Sequence, residues 1–125
     1  MRGIYLMVTL GSFRHAFKGL RAVVSRERNA RIHLFFAFLA IVASWFFKIS
    51  VFQLSLVILA IILVFFAEIT NTAIERTLDI ITTERSQVVQ LVKDMTAGGV
   101  LVCALGALAL AICIFGPRVY EMVVR

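Results

Sequence analysis

Two glutamates, an asparagine and an aspartate stand at helical spacing where a long uncharged run ends. The segment Glu68-Ile69-Thr70-Asn71-Thr72-Ala73-Ile74-Glu75-Arg76-Thr77-Leu78-Asp79 directly follows the stretch from Ile49 to Ala67, which carries no charge. At about 100° per residue, Glu68, Asn71, Glu75 and Asp79 fall on one face of a continuous helix. Carboxylates near lipid are costly and mark a functional site by default. Aligned beside a water interface, they can hold a hard cation and move a proton. That chemistry points to an enzyme acting on something in the membrane.

Each residue of the stripe has its own possible task. Glu68 ends the uncharged run, and a partly desolvated carboxylate there can serve as a general base near neutral pH. The alternative is an interfacial charge that snorkels to water. Glu75 lies about two turns further on the same face. With Glu27, in Ser25-Arg26-Glu27-Arg28-Asn29, it can share a Mg2+, which takes a few carboxylates plus phosphate oxygens. The alternative for Glu27 is pairing with its basic neighbours Arg26, Arg28 and Arg31. Lys93-Asp94 opens the last apolar run, where a lysine can hold phosphate by charge and an aspartate can complete a metal or ribose contact. Helix-start charge and interfacial anchoring is the other reading. Asn71 and Asp79 can orient neighbours or cap hydrogen bonds. His15 and His33 lack metal-ligand spacing and read as interfacial, so no zinc site is expected. The chain contains neither GxxxxGK[ST] nor GxGxxG, and no Ser-His-Asp arrangement is suggested.

The elements that must position these groups follow from composition. At 62% hydrophobic residues and a mean hydropathy of +1.00, the chain lies far above a globular domain. A single-domain integral membrane protein spanning residues 1–125 is expected. So short a chain cannot enclose a large soluble core and also cross the bilayer repeatedly, which makes oligomerisation the expectation. The formal charge of +6 comes mostly from Arg2, Arg14, Lys18, Arg21, Arg26, Arg28 and Arg31, set against Glu27. Aromatic and aliphatic residues interleave with them at helical spacing, so the block reads as facing a cytoplasmic membrane surface rather than nucleic acid. Cys103 and Cys113 sit ten apart in one apolar run and cannot bridge each other there. They read as small core residues. Met1–Gly11 is apolar but short, with no small-residue cleavage site after it, so no cleavable signal peptide is expected.

Along the chain, Phe13, Ala16, Phe17, Leu20, Val23 and Val24 follow an i, i+3, i+4, i+7 pattern, with Arg14, Lys18 and Arg21 opposite. This predicts an amphipathic helix over about 12–27, lying on the headgroups or packed on the protein's own bundle. Three spans follow, over about 29–47, 50–79 with a cytoplasmic extension, and 86–115 with a cytoplasmic start. Gly116-Pro117 is expected to stop the last one. Lys48-Ile49-Ser50 suits a tight helical hairpin, and Thr82 or Thr83 suits the cap of a new helix. Gly99, Cys103, Ala107 and Ala111 repeat at i+4, a stripe that lets helix backbones approach closely in lipid. The placement of Lys and Arg puts the N-terminus and the Glu68–Asp94 region in the cytoplasm, and the Lys48 turn and the C-terminus outside. Two rival classes remain. A proton-coupled transporter using Glu68 as its carrier would need that carboxylate near the midplane and would not need Glu75, Asp79 and Lys93 on one side. A non-catalytic membrane assembly subunit would turn over no ATP.

Glu68-Ile-Thr-Asn71-Thr-Ala-Ile-Glu75-Arg-Thr-Leu-Asp79 closely resembles the signature E-x-x-N-[ST]-A-I-E-x-x-[VL]-D of the prokaryotic diacylglycerol kinase and undecaprenol kinase family. A second marker, a Lys-Asp pair followed by small residues, stands as Lys93-Asp94-Met-Thr-Ala-Gly-Gly, and a third as Phe17-Lys18-Gly19-Leu20 with Glu27 at the matching distance. The resemblance extends from about Ser12 to Phe115. It implies an all-α lipid kinase of the bacterial cytoplasmic (inner) membrane, with a surface helix and three transmembrane helices, assembled as a homotrimer with sites between subunits. It further implies transfer of the γ-phosphoryl of ATP to a lipid hydroxyl with Mg2+. Carried over by position, Glu68 resembles the catalytic base and Glu27 and Glu75 the metal ligands at the nucleotide. Lys93, Asp94 and Glu84 resemble nucleotide contacts, with Asn71 and Asp79 in support. The chain departs from the family at Glu84-Arg85-Ser86, where Glu-Tyr-His is frequent, and at His15, where Tyr is frequent. The stretch Glu27-Arg28-Asn29-Ala30-Arg31-Ile32-His33 is more similar to the undecaprenol kinase branch than to the enterobacterial diacylglycerol kinase branch, which implies undecaprenol as the acceptor ahead of diacylglycerol.

Overall fold

A backbone in lipid must satisfy its own hydrogen bonds, so long apolar runs fold as helices. The computed structural model describes residues 2–82 and 86–124. Among these it forms α1 (Arg2–Arg26), α2 (Arg28–Phe46), α3 (Val51–Ile81) and α4 (Gln87–Val124). The last three are each long and apolar enough to cross a membrane, which makes this a multi-pass membrane protein. α1 starts well before Ser12, because no proline interrupts the apolar stretch ahead of it.

The connections are built from local hydrogen bonding. Between α1 and α2 only Glu27 leaves the helical conformation, at φ −94° and ψ 124°, and it takes the N-cap position of α2. The α2–α3 hairpin closes with the Ile49 N–H on Ser44 O and the Lys48 N–H on Trp45 O, both at 3.2 Å. Lys48 adopts φ +47°. This is a Schellman ending with lysine where glycine is usual. Ser50 then opens α3 with a capping box: its hydroxyl accepts from Gln53 N–H and the Gln53 side chain accepts from Ser50 N–H, both at 3.2 Å.

α3 and α4 run antiparallel and form the main contact of the fold. Lys93 meets Asp79 at one end of this pair and Arg118 meets Gln53 at the other. α2 lies against α3 through small residues, with Ala30 and Ser44 buried. Among the described residues the buried apolar ones are Ala30, Val57, Val64, Val100 and Ile114, all small or medium in size. Many of the large ones point outward, Trp45 being 83% exposed and Phe52 71%. So extensive an apolar exterior needs lipid or another protein surface to cover it.

Two expectations from the sequence are corrected. The helix does not stop at Gly116-Pro117 but runs through to Val124. A mid-helix proline removes one donor and crowds the preceding turn. The carbonyl left without its helical donor is that of Cys113; next to it, the Arg118 guanidinium donates to the Ile114 carbonyl and, at 2.7 Å, to Gln53 Oε1 of α3. The cap of α4 is Ser86, whose hydroxyl accepts from Val89 N–H at 3.2 Å. Thr82 instead ends α3, its N–H on Leu78 O, and Thr83 lies outside the described residues. The glycines near the small-residue stripe also meet no neighbour inside the chain: a methyl group added at Gly98, Gly99 or Gly106 would enter open space.

Candidate active site

The inward face of α3 changes character partway along. Val57, Val64, Glu68 and Thr72 form one buried stripe at spacings of seven, four and four, apolar up to Val64 and polar from Glu68 onward. Glu68 is only 3% exposed. Its Oε2 is buried and has no hydrogen-bond partner among the described residues. An unpaired buried carboxylate oxygen is costly and calls for an explanation by function. The ionisable groups near enough to act electrostatically on this carboxylate are His33, Glu27 and Glu75. These come from α2, the α1–α2 junction and the far turns of α3.

One turn further on, Asn71 Nδ2 donates to Glu75 Oε1 at 3.1 Å, as the i, i+4 spacing allows. Among the described residues, Asn71 Oδ1 is the second buried side-chain oxygen without a partner. Two orphaned oxygens thus lie on successive turns of α3. Glu75 stands about 10 Å beyond Glu68 along the helix axis.

Two ion pairs tie this end of α3 to its neighbours. Lys93 Nζ, on the first turns of α4, meets Asp79 Oδ1 at 2.5 Å. Asp79 therefore orients the lysine across the helix pair. Arg76 Nη2 meets Glu27 Oε1 at 2.7 Å, linking α3 to the α1–α2 junction. Asp94 accepts from Gln90 Nε2 of its own helix at 2.8 Å, on the exposed side of α4. The resulting cluster gathers Glu27, Glu68, Asn71, Glu75, Asp79 and Lys93 at the end of the bundle away from the Lys48 hairpin. Glu84 lies outside the described residues.

Among the described residues, no three His, Cys, Asp or Glu side chains come together as a metal cage. Mg2+ asks for less than a cage: it keeps several waters and takes one or two carboxylates plus substrate phosphate oxygens. The oriented Glu75 and the orphaned Asn71 oxygen are the kind of acceptors such an ion and its water shell need.

Two residues were not singled out by sequence. His33 read as merely interfacial, yet it lies on the half-buried face of α2 near Glu68. Arg76 counted only as a basic residue, yet it holds Glu27. Both roles depend on how α2 and the α1–α2 junction sit against α3, which the spacing along one helix does not reveal.

The family model for prokaryotic diacylglycerol kinase matches residues 14–115, a range that contains every residue of the cluster. The chain is 32% identical over 107 residues to undecaprenol kinase of Bacillus subtilis, covering 86% of this chain and 87% of that protein. It is 29% identical over 116 residues to diacylglycerol kinase of Synechocystis sp., covering 92% of this chain and 66% of that longer protein. With the membrane-spanning helices and the carboxylate cluster already in place, these matches show that the chain belongs to the prokaryotic diacylglycerol kinase family and is a membrane lipid kinase.

Proposed function

We propose that the chain transfers the γ-phosphoryl group of ATP to the hydroxyl of undecaprenol at the cytoplasmic face of the bacterial inner membrane, working as a homotrimer. The observation that carries this reading is the buried, unpartnered Oε2 of Glu68 at the end of the uncharged part of α3. A lipid hydroxyl reaching the interface can donate a hydrogen bond to that oxygen. Glu68 then accepts the hydroxyl proton as the oxygen attacks the γ-phosphorus and ADP leaves.

The remaining groups position and neutralise. Lys93, steered by Asp79, offsets phosphate charge. Glu27 and Glu75 are the proposed ligands of Mg2+, with Asn71 orienting Glu75. When bound, Mg2+ would offset the charge of the β- and γ-phosphates. Asp94 and Glu84 are proposed as further nucleotide contacts. Because the chains of the lipid stay in the bilayer against the apolar faces of the helices, only the hydroxyl end needs a site, which suits so small a protein.

The trimer is supported by the apolar exterior of the single chain and by the open space beside Gly98, Gly99 and Gly106. α1 carries the basic residues that would face anionic headgroups, in keeping with a surface helix. Undecaprenol is favoured over diacylglycerol by the Glu27–His33 stretch and by the extent of the match to the Bacillus subtilis protein. The test is a phosphorylation assay on purified protein in mixed micelles with Mg2+-ATP, comparing undecaprenol, diacylglycerol and ceramide. Undecaprenol should give the highest kcat/KM. Preference for diacylglycerol would correct the acceptor, and phosphorylation of none of them would overturn the reading.

A further inference from the structure

Glu27 occupies an N-cap, where a side-chain oxygen usually accepts from the first turn of its helix. Its carboxylate makes no such bond. It reaches across to α3 and accepts from Arg76 Nη2 at 2.7 Å. The Glu27 side chain is 29% exposed and that of Arg76 47%. A pair so open to water contributes little to stability, so holding the junction against α3 does not account for it. We propose that Arg76 is a phosphate-binding residue of the nucleotide site, kept on Glu27 until metal and nucleotide arrive together. This rests on the proposed role of Glu27 as a metal ligand.

The argument is one of charge and reach. A divalent cation on the Glu27 carboxylate competes with the guanidinium for its negative charge and repels it. Metal binding at Glu27 therefore loosens its hold on Arg76. The same metal brings phosphate oxygens into its coordination shell at about 2.1 Å. Those oxygens then lie within a side chain's swing of the released guanidinium. Arginine suits them because its planar fork can donate two parallel hydrogen bonds to a phosphate. The exchange leaves no charge uncompensated: carboxylate passes from guanidinium to metal, and guanidinium passes from carboxylate to phosphate. Lys93 stands in a matching arrangement, held on Asp79 at 2.5 Å. The cluster thus keeps two cations on carboxylates, ready to be handed to an anionic substrate.

The consequence is that Arg76 opposes free metal and favours metal with nucleotide. The test uses the full chain in micelles with Mn2+ as a paramagnetic probe, titrated alone and then with an ATP analogue carrying a methylene bridge between the β- and γ-phosphates. For Arg76→Gln, free Mn2+ should bind about five-fold more tightly and the Mn2+–analogue complex about ten-fold more weakly. Arg76→Lys keeps the charge without the fork and should fall between the wild type and Arg76→Gln in both titrations. Both affinities staying within two-fold of wild type in Arg76→Gln would overturn the inference. Weaker analogue binding with no gain for free Mn2+ would overturn the exchange on Glu27. Glu27→Gln separates the layers. If it leaves Mn2+ binding unchanged, Glu27 is no ligand and the underlying reading fails. If it weakens Mn2+ binding while Arg76→Gln changes nothing, this inference alone fails.

Discussion

Asn71 donates its amide N–H to Glu75 Oε1 at 3.1 Å and turns its own carbonyl oxygen into a buried place with no partner. The bond fixes one carboxylate oxygen of Glu75, while the carbonyl oxygen stays ready for a donor that no described residue supplies. Residues that orient metal-holding carboxylates typically matter by about 10–100-fold in affinity or activity. Asn71→Ala is therefore expected to lower kcat/KM for Mg2+-ATP at least ten-fold, with part of the loss recovered at high Mg2+. Asn71→Asp should be worse, because it sets a second negative charge one turn from Glu75. A Mg2+ dependence identical to wild type in Asn71→Ala would remove Asn71 from the site.

Glu75 itself should show the same dependence more strongly. Glu75→Gln keeps the size of the side chain and an acceptor for Asn71 but removes the charge that a hard cation requires. Turnover at limiting Mg2+ should fall by about ten-fold or more, and the assembly should remain folded by size-exclusion chromatography. Unchanged turnover at limiting Mg2+ would sink the assignment.

At the opposite end of the bundle, Lys48 carries the cost of the tight hairpin, at φ +47°. The left-handed region costs a residue with a Cβ about 1–2 kcal/mol, and glycine escapes that while giving back some in chain entropy. Lys48→Gly is expected to raise the apparent Tm, for a net gain of about 0.5–1 kcal/mol, without altering activity. Thermal inactivation of the purified assembly measures this. An unchanged or lower Tm would mean that the turn already accommodates the lysine without strain.

How far the sequence alone reaches differs from one part of the molecule to another. The long helices were legible because uncharged runs leave a backbone in lipid no alternative. The Asn71–Glu75 contact was legible too, since it lies within one helix. The continuation of α4 past Pro117 was not, because it is accompanied by an Arg118–Gln53 bond between residues 65 apart in sequence. Asp79–Lys93 and Glu27–Arg76 were hidden for the same reason: their partners are chosen by the register between helices, which no periodicity along one helix encodes. Thr82 misled as a cap because a threonine can end one helix as readily as it starts another. Ser86, the residue that does the capping, shows only once the helix start is fixed.

The antiparallel packing places the Lys48 hairpin and the end of α4 together, with Phe47 and Phe115 rings 6.2 Å apart, and the carboxylate cluster at the other end. The proposed cytoplasmic placement of the basic N-terminal region puts the C-terminus outside. Single cysteines at Ser12 and Glu121, in a background lacking Cys103 and Cys113, should react differently with an impermeant reagent on intact cells. The Glu121 site should label directly and the Ser12 site only after the membrane is opened. The reverse pattern would invert the proposed orientation and with it the side on which ATP must be found.

The strongest single test concerns Glu68. It lies at the lipid end of the polar stripe, 3% exposed, while Glu75 and Lys93 lie further toward the end of the bundle. Glu68→Gln keeps shape and hydrogen bonding but cannot take a proton. A positioned base contributes about 10²–10⁴-fold in rate, so kcat should fall by that order. ATP affinity should stay nearly unchanged, because the carboxylate is not proposed to touch phosphate or metal. The distinction needs turnover and nucleotide binding measured on the same preparation, since KM alone mixes binding with chemistry. Retention of more than about a third of the wild-type kcat would rule out Glu68 as an obligatory base. Loss of ATP binding with the fold intact would instead move Glu68 into the nucleotide site. The buried orphan oxygen would then belong to a phosphate-organising network, and His33, the ionisable side chain of α2 that acts on Glu68, would become the next residue to test as proton acceptor.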